Sequence, residues 1–153
     1  MTIVQAQWQV AERAARAALA TEAGTVALAE APFEPIAGSL SNFAWRVSVP
    51  GQDRFVRYAR AGNEQLGADL HAEGEILRLV ARAGLAPRVV RCDPSARLLV
   101  TQWIASTTGG PIAEDHERTI RQVAALQRQL HELAPPPGVR VVAPGRGSHL
   151  HGV

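Results

Sequence analysis

The sequence predicts an α+β fold: an antiparallel sheet of about five strands, a glutamate-bearing helix packed on it, and a further helix towards each end of the chain. Three observations carry this. Two pairs of β-rich runs are each joined by a short turn signal, which makes hairpins. Three longer segments repeat apolar residues at helical spacing. The elements follow the order helix, strand, hairpin, helix, hairpin, helix, which suggests helices to one side of the sheet.

The first helix is read from Val4 to Leu19, where Val4, Trp8, Ala11, Ala15 and Leu19 recur at helical spacing with Arg and Gln between them. Thr21 to Gly24 breaks it. Phe33 to Ile36 is a short strand bracketed by Pro32 and Pro35, and proline suits a strand end or an edge. Pro50-Gly51-Gln52-Asp53 turns one hairpin, Trp45–Val49 with Phe55–Tyr58. After a loop over Ala61–Gly67 a helix begins at Ala68. Leu70, Ile76, Leu77, Leu79 and Val80 line one side of it, and Gly84 caps it. Arg88–Cys92 and Arg97–Thr101 form the second hairpin, turned by Asp93-Pro94-Ser95. Beyond a Thr/Gly connection, Thr107–Pro111, a last helix runs from Glu114 to Leu133. Ile120, Val123, Ala124, Leu126, Gln127 and Leu130 are its expected buried stripe, and Pro135–Gly138 ends it.

The 153 residues suffice for one domain with a real core. No apolar run approaches the roughly 18 residues of a membrane span, and the amphipathic N-terminus lacks an export signal. A cytoplasmic address is therefore expected, with no membrane partner. The single Cys92 excludes an intramolecular disulfide and a cysteine-rich metal site. All 16 basic residues are arginine, against 14 acids. That balance is too mild and dispersed for a nucleic-acid footprint. Any phosphate clamp must use guanidinium, which forks over two oxygens and stays charged.

The chemistry-bearing residues lie between Ile36 and Ile104. Gly38, Ser39, Leu40, Ser41 and Asn42 form a small-residue loop that can fold over a polyphosphate, because backbone N–H groups approach closely where side chains are small. Arg57, on the following strand, is placed to reach phosphates, and Glu73 in the next helix would hold it through a charged pair. A solvated sheet-face arginine and an exposed helix glutamate are the plain alternatives. Glu75 competes with Glu73 for the pair.

The order of these parts resembles the N-terminal lobe of the choline kinase and aminoglycoside phosphotransferase superfamily, small-molecule relatives of protein kinases, together with the start of the second lobe. Gly38–Asn42 is similar to the family's Gly-Gly-Leu-Thr-Asn loop, with Ser39 in place of the second glycine, and Trp45-Arg46-Val47 to the Tyr-Arg-Val that follows it. Phe55-Val56-Arg57 resembles its strand with a basic residue. Glu73–Leu77 and Gly84-Leu85-Ala86-Pro87 are similar to its glutamate helix and that helix's exit. Leu98–Ile104 resembles its hinge, and Leu126 to His131 its second-lobe helix. The resemblance implies an ATP site in which Gln102, Trp103 and Ile104 line the adenine position, and a hydroxyl phosphorylated on a choline, thiamine or aminoglycoside-like acceptor. It divides the chain into a nucleotide-binding lobe with its N-terminal helix, residues 1–104, and a linker, helix and tail, residues 105–153.

The family's base and Mg2+ ligands lie in a His-x-Asp-x-x-x-x-Asn loop and a later aspartate. None of the five histidines here is followed two residues later by aspartate, no Asp follows Asp115 and no Asn follows Asn63. No catalytic residue and no metal ligand is therefore assigned. The expectation is a lobe truncated before its catalytic loop and inactive alone, with an acceptor alcohol bound only if a second lobe is supplied. The alternative is a non-catalytic nucleotide-binding or interaction module, self-associating through the face a second lobe would cover.

Overall fold

The computed structural model describes residues 2–38, 42–63, 69–105 and 116–139. Helix α1, Ile3–Leu19, starts where Thr2 Oγ1 accepts the Gln5 N–H (3.2 Å) and Gln5 Oε1 accepts the Thr2 N–H (2.8 Å). That reciprocal cap satisfies two otherwise orphaned donors. Its Ala11, Ala15 and Leu19 are buried as the spacing predicts, whereas Val4 stands 60% exposed at the open end. A five-residue helix, α2 (Val26–Glu30), was not expected. The buried Thr25 hydroxyl before it donates to the Leu19 carbonyl at 2.8 Å, so it closes the end of α1.

Five antiparallel strands follow: β1 Phe33–Pro35, β2 Asn42–Val49, β3 Gln52–Ala59, β4 Val89–Asp93 and β5 Leu98–Gln102, in the spatial order β1-β2-β3-β5-β4. Both expected hairpins form. Gly51, at φ +72°, takes the left-handed corner of the first, a conformation glycine adopts without a steric penalty. In the second, Asp93 Oδ1 accepts both the Ser95 hydroxyl (2.6 Å) and the Ala96 N–H (3.0 Å).

Helix α3, Leu70–Arg82, sits between β3 and β4 in the chain. Asp69 caps it by accepting the His71 and Ala72 N–H groups. It closes in a Schellman turn: Gly84, at φ +75°, donates to Ala81 O, and Leu85 donates to Val80 O, both at 3.0 Å. Of its expected inner side Val80 is buried, while Ile76 is 40% exposed.

The helices do not share one side of the sheet. Phe43, Trp45, Val47, Val56, Tyr58, Leu98 and Val100 meet α1, with Trp8 edge-on to Phe43 (5.2 Å) and Trp45 (5.5 Å). Arg57, Leu99 and Cys92, on alternate positions, face α3. The physical reason is strand β5, whose Leu98, Leu99, Val100 and Thr101 are all buried. A strand apolar on both faces needs cover on both.

Helix α4, His116–His131, lies where the last helix was predicted; the Glu114 start falls outside the described residues. Its expected buried stripe is open to solvent. Ile120 is 67% exposed, Val123 48%, Leu126 54% and Leu130 43%. No helix among the described residues is long and apolar enough to cross a membrane.

Candidate functional site

Because successive side chains of a strand alternate between faces, β3 sends Val56 and Tyr58 into the α1 core and Phe55 and Arg57 to the other side. In register, Arg57 lies between Ala44 of β2 and Leu99 of β5. The small Ala44 leaves room beside it for a long cation. Glu73 stands in the first turn of α3, which the Asp69 cap anchors.

Gly74 lets that turn come close. A Cβ there would stand 2.6 Å from Cys92 Sγ of β4, nearer than real contacts allow, so only glycine lets α3 lie this tightly on the sheet. Burial against this contact pushes the Cys92 thiol above its ordinary pKa, which suits packing and not nucleophilic chemistry.

The expected pair results. Arg57 Nη2 donates to Glu73 Oε2 at 2.5 Å, while Glu75 turns to Arg78 at 2.7 Å. The Arg57 and Glu73 side chains keep 20% and 40% of their exposure. Such a pair contributes about 1 kcal/mol or less to stability, so its main effect is to fix the direction of the guanidinium. Arg57 Nε is buried with no hydrogen-bond partner among the described residues, a donor that an incoming acceptor would satisfy.

This pair lies in a cleft of ≈ 320 Å³, walled by Phe55, Leu77, Pro87, Leu99 and Thr101 and closed by Gln102, Trp103 and Ile104 after β5. Arg57, Glu73, Gln102, Trp103 and Ile104 are thus brought together from β3, α3 and the end of β5. Gly38, at φ +92°, lines a separate pocket beside α1 instead, with Trp8 and Trp45. Asn42 opens β2, and its Oδ1 accepts from Asn63 Nδ2 at 3.2 Å. Ser39, Leu40 and Ser41 lie outside the described residues.

Two residues that the sequence did not single out steady the hinge. Asp53 accepts the Trp103 N–H on its carbonyl (3.1 Å) and Arg46 Nη2 on its carboxylate (2.5 Å), and the Arg46 guanidinium lies 5.3 Å from the Trp103 ring centroid. The hydrogen bond from Arg46 holds the Asp53 carboxyl below its ordinary pKa, and the same bond raises that of Arg46. Strand alternation would have found Arg46, two positions from Ala44 on the cleft face.

The cleft offers one fixed cation with a spare buried donor, an apolar floor and backbone edges at one end. That set suits a flat heterocycle joined to an anionic tail. No group of three His, Cys, Asp or Glu side chains gathers among the described residues.

The phosphotransferase enzyme family (APH) matches residues 32–148 of the chain. Among solved structures the chain resembles a choline/ethanolamine kinase family protein from Mesorhizobium loti, with a TM-score of 0.53 and 24% identity over 80% of this chain and 38% of that one. At this identity the likeness speaks for the fold. The chain spans well under half of that protein's length. No curated protein matches.

Proposed function

Because the chain belongs to the phosphotransferase enzyme family, we propose that it is the ATP-binding lobe of a small-molecule kinase acting on a hydroxyl of choline, thiamine or aminoglycoside type. The Arg57–Glu73 pair at 2.5 Å carries this reading. It presents a guanidinium, already oriented by a carboxylate, to the side of the cleft away from the Gln102–Ile104 edge. Adenine would lie along that edge and the phosphates would meet Arg57. The reading covers grip on the nucleotide. Positioning of the acceptor alcohol and of Mg2+ is assigned to a second lobe, so the residues here bind ATP without transferring its phosphate. A cytoplasmic address fits the single free thiol of Cys92.

Isothermal titration of the chain with ATP tests this. Binding is expected in the wild type and weakened roughly ten-fold or more in Arg57→Ala, the cost of losing a charged hydrogen bond. No heat in the wild type at millimolar ATP would remove the proposal.

The exposed stripe of α4, with Ile120 at 67% and Leu126 at 54%, favours a second reading, a non-catalytic nucleotide-binding or interaction module that self-associates. Sedimentation over a concentration series separates the two: a defined dimer that Leu126→Glu dissolves supports the module, and a monomer at all concentrations rejects it.

A further inference from the structure

We propose that the chain carries a second binding site, on the sheet face opposite the cleft, for a small organic oxyanion: a carboxylate or phosphate monoester on an apolar body. The pocket lies between α1 and the end of β3. It has a volume of ≈ 570 Å³ and is lined by Val10, Ala14, Phe43, Tyr58, Arg60 and Arg97.

Its two cations differ from five other half-buried arginines; a sixth, Arg54, donates to the Asp53 carbonyl and to Gln52 Oε1. Arg16 holds Glu12 (2.8 Å), Arg46 holds Asp53 (2.5 Å), Arg57 holds Glu73 (2.5 Å), Arg78 holds Glu75 (2.7 Å) and Arg91 holds Asp93 (2.8 Å). Arg60 and Arg97 have no carboxylate partner among the described residues. Each lies over an aromatic ring instead, Arg60 4.3 Å from the Phe43 centroid and Arg97 4.9 Å from that of Tyr58. A ring engages the flat face of a guanidinium and leaves its edge donors available. Two like charges beside one pocket, with no acid between them among the described residues, favour an anion there.

Local geometry points the same way. Arg60 donates at long range, 3.4 Å, to Gln7 Oε1, and its Nε is buried with no hydrogen-bond partner among the described residues. A dry, unmatched donor is unfavourable, and an acceptor entering beside it removes the deficit. Arg97 sits at φ +56°, a left-handed position after the turn that glycine would take with less strain. Its side chain is fixed by a 2.6 Å hydrogen bond from Nη2 to the Tyr58 hydroxyl oxygen. Arg97 thus presents an oriented charge with no carboxylate partner among the described residues. The wall opposite is apolar: Val10 of α1 is 62% exposed and faces the pocket with Ala14.

The test titrates the full chain with phenyl phosphate, benzoate and the neutral benzyl alcohol, following heats and 1H–15N spectra. At least one anion is expected to bind roughly ten-fold more tightly than benzyl alcohol. The preference between the two anions then assigns the head group. Perturbed amides should include Val10, Ala14 and Arg97. Arg60→Gln and Arg97→Gly should each weaken the anion roughly ten-fold. Arg97→Gly also separates binding from folding, because glycine relieves the left-handed backbone and Tm should hold or rise. Equal affinity for anion and alcohol, unaltered affinity in both variants, or shifts confined to Gln102 and Trp103 in the cleft would each overturn the proposal.

Discussion

The two faces of the sheet use the same strands for opposite ends. Towards α1, Trp45, Val47, Val56, Leu98 and Val100 are 0–1% exposed, and three aromatic rings lock edge to face. Towards α3 the alternate positions of the same strands hold Phe55, Arg57 and Thr101 around an open cleft. The first face supplies most of the hydrophobic stabilisation. The second contributes little to stability and fixes the direction of charge. A two-residue period thus separates the main core from the Arg57 cleft within single strands.

The sharpest way to break that division is on the dry face. Trp45→Ala should cost about 3–5 kcal/mol of stability in a denaturant melt, the range for emptying a core aromatic site, and abolish ligand binding only by unfolding the chain. Gly74→Ala comes next. Its Cβ would press on Cys92 Sγ, costing about 1–3 kcal/mol, against about 1 kcal/mol gained from better helix propensity. In a Cys92→Ala background the sulfur is gone and the same change should become nearly neutral, a non-additivity that a double-mutant cycle reads directly. Arg57→Ala should then change stability by about 1 kcal/mol or less while weakening ATP. An equal loss of stability from Trp45→Ala and Arg57→Ala would collapse the distinction between the faces.

The smallest effect is set by pH. Asp93 is held at a pKa of about 2, first by the Ser95 hydroxyl and then by the Ala96 N–H and Arg91. The folded value lies below the ordinary carboxylate value of 3.8, so the unfolded chain takes up this proton first as pH falls. The stability it contributes is whole above about pH 4, shrinks on acidification and is gone below about pH 2. In Asp93→Asn that part of the acid profile should flatten, measured as Tm against pH.

How much of this could be read in advance depended on what each signal specifies. The hairpins were legible because Pro50-Gly51 and Asp93-Pro94-Ser95 encode turns locally; the second hairpin's strands shifted by one residue, while both strands of the first begin three residues earlier than read. Arg57 and Glu73 were legible as a pair through the resemblance to the phosphotransferase lobe, whose spacing to Gly84-Leu85-Ala86-Pro87 favoured Glu73 while Glu75 stayed open; the structure turns Glu75 to Arg78. The sidedness of the helices was not, since Leu98 to Val100 reads as one apolar run whichever face is covered. Helix α2 is five residues long, too short to show a period. The stripe of α4 was read correctly as a helix face, but amphipathicity specifies which side is apolar and not what covers it. The Arg46–Asp53–Trp103 link escaped because it joins a turn to the far end of another strand through space.

The close seat of Cys92 against Gly74 has a practical corollary. The chain contains one thiol, and it lies under the helix that carries Glu73. The half-buried Cys92 sulfur should react more readily with a maleimide when α3 lifts from the sheet, an excursion that would also part Glu73 from Arg57. Alkylation kinetics therefore give a built-in, single-site gauge of how often the cation is let go, and an occupied cleft should slow the reaction.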